Sequence, residues 1–342
     1  KRYPVEGISD YSLANCIKLK KVKIPDGWTF IGKYAFMNCL NLEEVEFGKP
    51  GDEPELHMSA FTNCPKLKKI TLQIGGARIW PTGNKNNYFE EIVLNSSFPY
   101  NMTAIGGLLL TPNLKKIEVP EHIEISEEAF LDCESLQSFD ISKRCKRIGE
   151  AAFVGCKSLK KIVLPESIEE VSLVAFANCV QLSECIIETK KLKMLSFFTF
   201  GNSGLKEIEL PNNLEKLGLG VFYNCKNLMS VVMRAKNISL DVSTFYGCDN
   251  LKTVVLDSKS CEFTNMAKVL NDSGNYIDFD KLSIEIHTNK IVEDKPLPKN
   301  IDEMIPSATT FYLIKSSKIK LSDDFVEVEP DKKGYCKYIK RV

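Results

Sequence analysis

Apolar residues recur along the chain in short runs, of which Leu159-Lys160-Lys161-Ile162-Val163-Leu164 is one. Each run opens on Leu and carries apolar residues three and five positions later. These last two fall on one face of an extended chain, because strand side chains alternate. Proline follows several runs (Pro25, Pro120, Pro165, Pro211) and ends the strand, having no N–H for a ladder. Ahead of the runs stand Ala35-Phe36, Ala60-Phe61, Ala129-Phe130, Ala152-Phe153 and Ala175-Phe176, continued by Phe200, Phe222 and Phe245. Three residues after most of these Phe comes Cys, and three further on the strand-opening Leu.

Counted by the Phe position, rungs fall at 13, 36, 61, 83, 108, 130, 153, 176, 200, 222 and 245, with Leu13, Gly83 and Leu108 in place of Phe. Ten steps cover 232 residues, a mean near 23. One such unit cannot cover its own Leu, Ile and Phe, so copies must stack, with strands about 4.8 Å apart in a parallel sheet. The spacing therefore predicts an α/β solenoid of about eleven repeats. Its sheet forms one face, and the Ala-Phe segment makes a single turn or a short helix opposite. Residues 1–257 form the array, with an irregular segment at 74–107 that lacks the Ala-Phe and Cys positions. Residues 258–342 read as degenerate repeats and a C-terminal cap, or as a small separate domain hinged at Glu293–Lys299. In this tail, strands are predicted at Leu282–His287, Thr310–Ile314 and Phe325–Val328, and a short helix at Thr264–Leu270.

The pattern Ile-Gly-x-x-Ala-Phe-x-x-Cys-x-x-Leu-x-x-Ile-x-Leu-Pro is nearly complete at Ile31–Phe47 and Ile148–Pro165 and extends over roughly residues 8–257. It resembles the BspA-like leucine-rich-repeat family. The resemblance implies a leucine-rich-repeat arc in a protein at the cell surface or secreted. It further implies adhesion to host matrix proteins or other cells, or contact with glycans.

Composition narrows the alternatives. The 342 residues carry 45 Lys+Arg against 45 Asp+Glu, which argues against nucleic acid as a partner, since phosphate binding leans on a net-positive face. No apolar run approaches the length that spans a bilayer. The chain begins at Lys1 with no charged-then-apolar leader, and the expectation is a processed form whose export signal or lipid anchor lies outside it. Eight of the twelve Cys, Cys16 included, share one rung position. Cys145 and Cys185 stand where other rungs have Trp28 and Ile168, or Val45 and Ile162. The register favours buried reduced thiols over a disulfide scaffold, leaving open whether Cys261 and Cys336 pair. No Cys-x-x-Cys occurs, and no metal or cofactor is expected. Lys20-Lys21, Glu43-Glu44, Lys68-Lys69, Glu90-Glu91 and Lys115-Lys116 alternate in sign from rung to rung, predicting cross-strand pairs that pin the register; from Gln137-Ser138 onward the alternation breaks down.

Catalytic signals are nearly absent. His57, His122 and His287 lie far apart in different repeats, with no nucleophile motif beside them, so no enzymatic activity is expected. Binding has two candidate surfaces. The residue between the two inward positions of each strand points outward, and in the second half of the array this row is Val163, Ile186, Val232 and Val255, interrupted by Glu209. An exposed apolar stripe can mark an interaction site, although β-branched residues also favour strands and the tail could cover them. The second surface is the irregular segment, where Trp80, Phe98 and Tyr100 could contact a partner or fill a gap in an imperfect repeat. The expected function is non-catalytic recognition by a monomer of a host matrix protein, cell-surface protein or glycan. A structural spacer displaying another domain is the alternative.

Overall fold

The computed structural model describes residues 7–73, 78–80, 87–95, 104–105, 111–121, 124–241, 243–256, 260–264, 300–301, 308, 310–314, 321–328 and 335–340. The chain divides into two compact units, one of Lys1–Cys145 with Gly155–Leu159 and the other of Lys146–Val154 with Lys160–Val342. Each is a β-solenoid of stacked turns joined by parallel sheets, almost without helix.

In the first unit, the predicted strands Lys21–Ile24 and Glu44–Phe47 pair in parallel, as do Lys69–Gln73, Glu91–Asn95 and Lys116–Glu118. In the second, Lys161–Leu164, Glu184–Ile187, Glu207–Leu210, Ser230–Met233 and Thr253–Leu256 run parallel in one sheet. Thr310–Ile314 then pairs with Thr253–Leu256, and Tyr335–Lys340 and Phe325–Val328 extend the same sheet antiparallel. Two of the strands expected in the tail are thus present. Leu282–His287 and the Glu293–Lys299 hinge lie outside the described residues, as does the helix expected at Thr264–Leu270 apart from Thr264, which ends strand Ser260–Thr264.

Each rung also carries a second strand, of two to eight residues, that the sequence reading did not assign. Trp28–Ile31 lies between Gly7–Ile8 and Pro50–His57, and Met194–Leu195, Lys216–Leu217, Asn237–Asp241 and Ser260–Thr264 line up in the second unit. The irregular segment joins this pattern, because Arg78–Trp80 pairs with Glu55–His57 and Ala104–Ile105 with Glu124–Ile125. Two sheets per rung replace the single sheet expected.

The expected α/β character is corrected as well: the Ala-Phe segment is a turn. Two positions bracket it in the left-handed region, two residues before Phe and two after: Val174 (φ 50) and Asn178 (φ 58) around Phe176, and Tyr34 (φ 58) and Asn38 (φ 59) around Phe36. A right-handed helix cannot propagate through such residues, and three intervening positions are too few to nucleate one. In the rung of Phe61 the first bracket is missing, since Ser59 does not share the positive φ, and here a four-residue 3-10 turn forms at Met58–Phe61. The second bracket is most often Asn directly before the ladder Cys, the non-glycine residue that tolerates this conformation best.

Phe and Cys form the core as continuous ladders. Phe153, Phe176, Phe200, Phe222 and Phe245 stack almost parallel, with successive ring centroids 5.2, 5.5, 5.8 and 5.6 Å apart. Phe36 and Phe61 do the same in the first unit at 5.5 Å. The thiols sit beside them and reach back one rung. Cys179 Sγ donates to the Phe153 carbonyl at 3.1 Å, Cys225 Sγ to Phe200 at 3.1 Å and Cys64 Sγ to Phe36 at 3.1 Å. Ser203 takes the Cys position in the rung of Phe200, with its Oγ 3.3 Å from Cys225 Sγ. Cys145 and Cys185 are buried core residues, as their register predicted. Desolvation pushes the thiols of Cys64 and Cys133 up to about 12, so they remain protonated at neutral pH.

Candidate functional site

The outward row of the second unit follows from strand alternation. In Lys161–Leu164 and Thr253–Leu256 the second and fourth residues are buried and the third is half-buried. Register places Val163 opposite Ile186, Glu209 opposite Val232, and Val232 opposite Val255. The predicted row is therefore brought together on consecutive strands of one sheet. Ile186 is its most open member at 38% exposure, with Val163, Val232 and Val255 half-buried. Glu209 interrupts the row, and the Arg234 guanidinium pairs with it at 2.8 Å.

Beside Ile186 the turns after these strands shape a shallow groove of about 370 Å³, lined by Ile186, Glu188, Lys190, Glu209, Asn212 and Arg234. A second groove of about 440 Å³ shares Asn212 and continues past Lys193, Asn213, Glu215, Lys236 and Ser239. Sequence reasoning missed both. Turn residues have no fixed period, and the only available sign was the substitution of Arg234 where neighbouring rungs have Glu188 and Pro211.

The second predicted surface falls largely outside the described residues. Trp80 is the last residue of Arg78–Trp80, its backbone opposite His57, and its side chain lies outside the described residues. Phe98 and Tyr100 lie outside them altogether.

Charges alternate across the first unit as predicted. Lys21 meets Glu44 at 2.6 Å, Lys69 meets Glu91 at 2.9 Å, and Glu90 is shared by Lys115 at 2.7 Å and Lys68 at 3.3 Å. Hydrogen bonds from Lys115 and Lys68 hold the Glu90 carboxyl below its ordinary range. Pairing also continues beyond the point where the sequence alternation fades, through Lys161–Glu184 at 2.7 Å and Lys193–Glu215 at 2.7 Å. These exposed pairs specify register more than they stabilise the fold. Ten cysteines among the described residues carry no disulfide. No helix among them is long and apolar enough to cross a membrane.

Stacked parallel turns, an inward ladder of Phe, Cys and Leu, and an outward face free of core duty define a leucine-rich-repeat scaffold. The family model described as a BspA type leucine rich repeat region, six copies long, matches residues 3–107, 84–197, 123–252 and 173–281. The chain belongs to this BspA-type leucine-rich-repeat family. Among solved structures, a leucine-rich repeat protein from Bacteroides ovatus is similar at 24% identity and a TM-score of 0.51, over 77% of this chain and 65% of that protein. This likeness supports the fold, and the chain spans less than two thirds of that protein's length. A leucine rich cell surface protein from Faecalibacterium prausnitzii is 20% identical, covering 79% of this chain and 86% of its own, with a TM-score of 0.37. The pneumococcal vaccine antigen PcpA is 17% identical over 78% and 68% of the two chains, at 0.43. Comparison with curated proteins gives no significant match.

Proposed function

We propose that this chain is a non-catalytic recognition module of the cell surface or the secreted space, and that it binds through the outward face of the second unit's long sheet. The observation that carries this reading is the in-register row of Val163, Ile186, Val232 and Val255, apolar and outward on a sheet whose core needs are met from its other side. A rigid face of this kind presents side chains without an ordering cost, so modest contact area can yield useful affinity. The family and its surface-protein relatives support placement outside the cell. In this reading the scaffold is a monomer of about eleven rungs, and its partner is a host matrix protein, a cell-surface protein or a glycan.

Surface-binding measurements against matrix proteins and a glycan panel test it, with a Val163/Ile186/Val232/Val255→Lys variant run alongside. Saturable binding that is lost in the variant, with the circular dichroism spectrum retained, is the expected result. Binding that survives the variant moves the site away from this face. No binding to any member of either panel favours a spacer role.

A further inference from the structure

At the first outward position of the long strands, neighbours are matched in charge. Lys21 lies opposite Glu44, Lys69 opposite Glu91 and Lys161 opposite Glu184, and each of these couples forms an ion pair. In the second unit the matching stops one strand later, where Glu184 lies opposite Glu207. Neighbouring strands are about 4.8 Å apart, and like charges directly opposite are destabilising. Glu209 adds a third carboxylate on the same face, two residues and about 6.6 Å further along the strand of Glu207.

Two of these three carboxylates are neutralised. Lys161 holds Glu184 at 2.7 Å and Arg234 holds Glu209 at 2.8 Å. Glu207 is exposed and has no ion pair among the described residues, and Lys206 beside it in the chain has none either. The next residue across the sheet from Glu207 is Ser230, which carries no charge. The core sets no requirement for this carboxylate, since the inward residue here is Ile208 at 3% exposure. A basic residue at this position would have continued the alternation. The fold thus gains nothing from Glu207 and loses something to its contact with Glu184.

Apolar surface adjoins it. Ile186, two residues beyond Glu184, is 38% exposed, and Val232, two beyond Ser230, is half-buried. Met229, directly before Ser230, is 51% exposed and offers a soft, adaptable contact. A carboxylate without a counterion among exposed apolar side chains matches a group with an aliphatic stem and a cationic head. Arginine fits best, because its planar guanidinium carries five donors and can bond two carboxylates at once.

We propose that the outward sheet face recognises a protein segment presenting an Arg between apolar residues. The guanidinium lies on Glu207 and Glu184, and the apolar neighbours cover Ile186, Val232 and Met229. This assignment rests on the outward face being the binding surface, and it makes the partner a protein, since a neutral glycan would leave the like-charged couple uncompensated.

The probes are three pools of fluorescein-labelled heptapeptides, with Arg, Gln or Glu fixed at the centre and Val, Leu, Ser and Thr mixed at the flanks. Anisotropy with the intact chain should rank the Arg pool first, then Gln, then Glu, with at least about tenfold between the first and the last. Glu207→Lys should reverse the Arg and Glu pools. Because it places an opposite charge beside Glu184, this variant should also melt about 1–2 °C higher than the parent. Glu207→Gln should narrow the gap between the pools without reversing it, and it decides the ranking if Glu207→Lys fails to fold. Equal binding of the three pools, or a ranking that both variants leave unchanged, overturns the proposal. If such binding is still lost in the Val163/Ile186/Val232/Val255→Lys variant, the face stands and only its preference for Arg falls. No binding of any pool also overturns the proposal, and leaves the face to be judged by the matrix-protein and glycan panels. A lower melting temperature for Glu207→Lys overturns the charge argument itself.

Discussion

Replacing Phe176 by Ala removes the middle of the aromatic ladder in the second unit. Phe176 is fully buried, and its ring stacks on Phe153 at 5.2 Å and on Phe200 at 5.5 Å. Truncating a buried Phe costs about 3–5 kcal/mol, combining lost transfer energy and residual cavity. The cavity cannot collapse easily here, because backbone hydrogen bonds to both neighbouring rungs fix the spacing; Phe153 N–H donates to Ala175 and Phe176 N–H to Thr199. Each stacked contact adds about 0.5–1.5 kcal/mol beyond area burial, so a ring with two stacked neighbours should be worth about 1 kcal/mol more than a ring with one. Phe245 is the comparison: it stacks on Phe222 at 5.6 Å and is 4% exposed. Urea unfolding followed by far-UV circular dichroism reads both variants. Trp28 and Trp80 belong to the first unit, so tryptophan fluorescence serves as a separate channel for that unit. The expected order of destabilisation is Phe176→Ala, then Phe245→Ala. Equal losses, or a loss below about 2 kcal/mol for Phe176→Ala, would refute the ladder as a main source of cohesion.

Three further outcomes follow from local chemistry. Asn224 has φ 55, so Asn224→Ala should cost about 1 kcal/mol while Asn224→Gly stays within about 0.5 kcal/mol, checked by urea unfolding. Burial pulls the His57 imidazole below its ordinary value, with Lys33 acting in the same direction. The unfolded chain then binds a proton that the folded chain resists, so stability should fall as pH drops through the unfolded value of about 6.5 toward the lower folded one. A His57→Phe variant should lack that portion of the pH dependence in thermal melts. With the Cys64 and Cys133 thiols pushed up to about 12 and Cys16 half-buried, iodoacetamide at pH 8 should modify Cys16 before either of them; prior labelling of Cys64 or Cys133 would contradict the ladder geometry.

The parts of the fold legible from the sequence are those with a strict period. Phe176, Cys179, Leu182 and Cys185 repeat because each rung must fill the same volume beside its neighbours, and burial confirms each of them. The outward row was legible for the same reason, since a strand has only two faces. The second strand of each rung was not legible: Arg147–Ile148, Glu170–Val171 and several others are two residues long, too short for alternation to show, and the eight-residue Pro50–His57 carries two Pro and a Gly. Their trace was the Ile of the Ile-Gly pair, present in the pattern without an element to hold it. The left-handed brackets left a clearer sign in Asn15-Cys16, Asn38-Cys39, Asn63-Cys64, Asn178-Cys179 and Asn224-Cys225, where Asn precedes the ladder thiol. That sign distinguishes a turn from a short helix. The grooves beside Ile186 depend on how individual turns pack, which no repeat position encodes.

Glu209 limits what the outward row can bind. A wholly apolar partner covering Ile186 and Val232 together would also bury Glu209 and its ion pair with Arg234. Taking such a pair out of water costs several kcal/mol unless further hydrogen bonds are supplied. The core makes no demand at this position, because Ile208 and Leu210 on either side of Glu209 are the buried members of the strand. If the outward row binds as proposed, the charge acts on ligand choice without acting on the fold. A partner matched to this face needs apolar groups for Ile186 and Val232 and, between them, polar groups able to bond Glu209 and Arg234. Replacing Glu209 with Val would join the two halves of the row into one apolar stripe at little cost to the core. It should loosen that selectivity, raising affinity for apolar probes while lowering it for a partner that uses the pair.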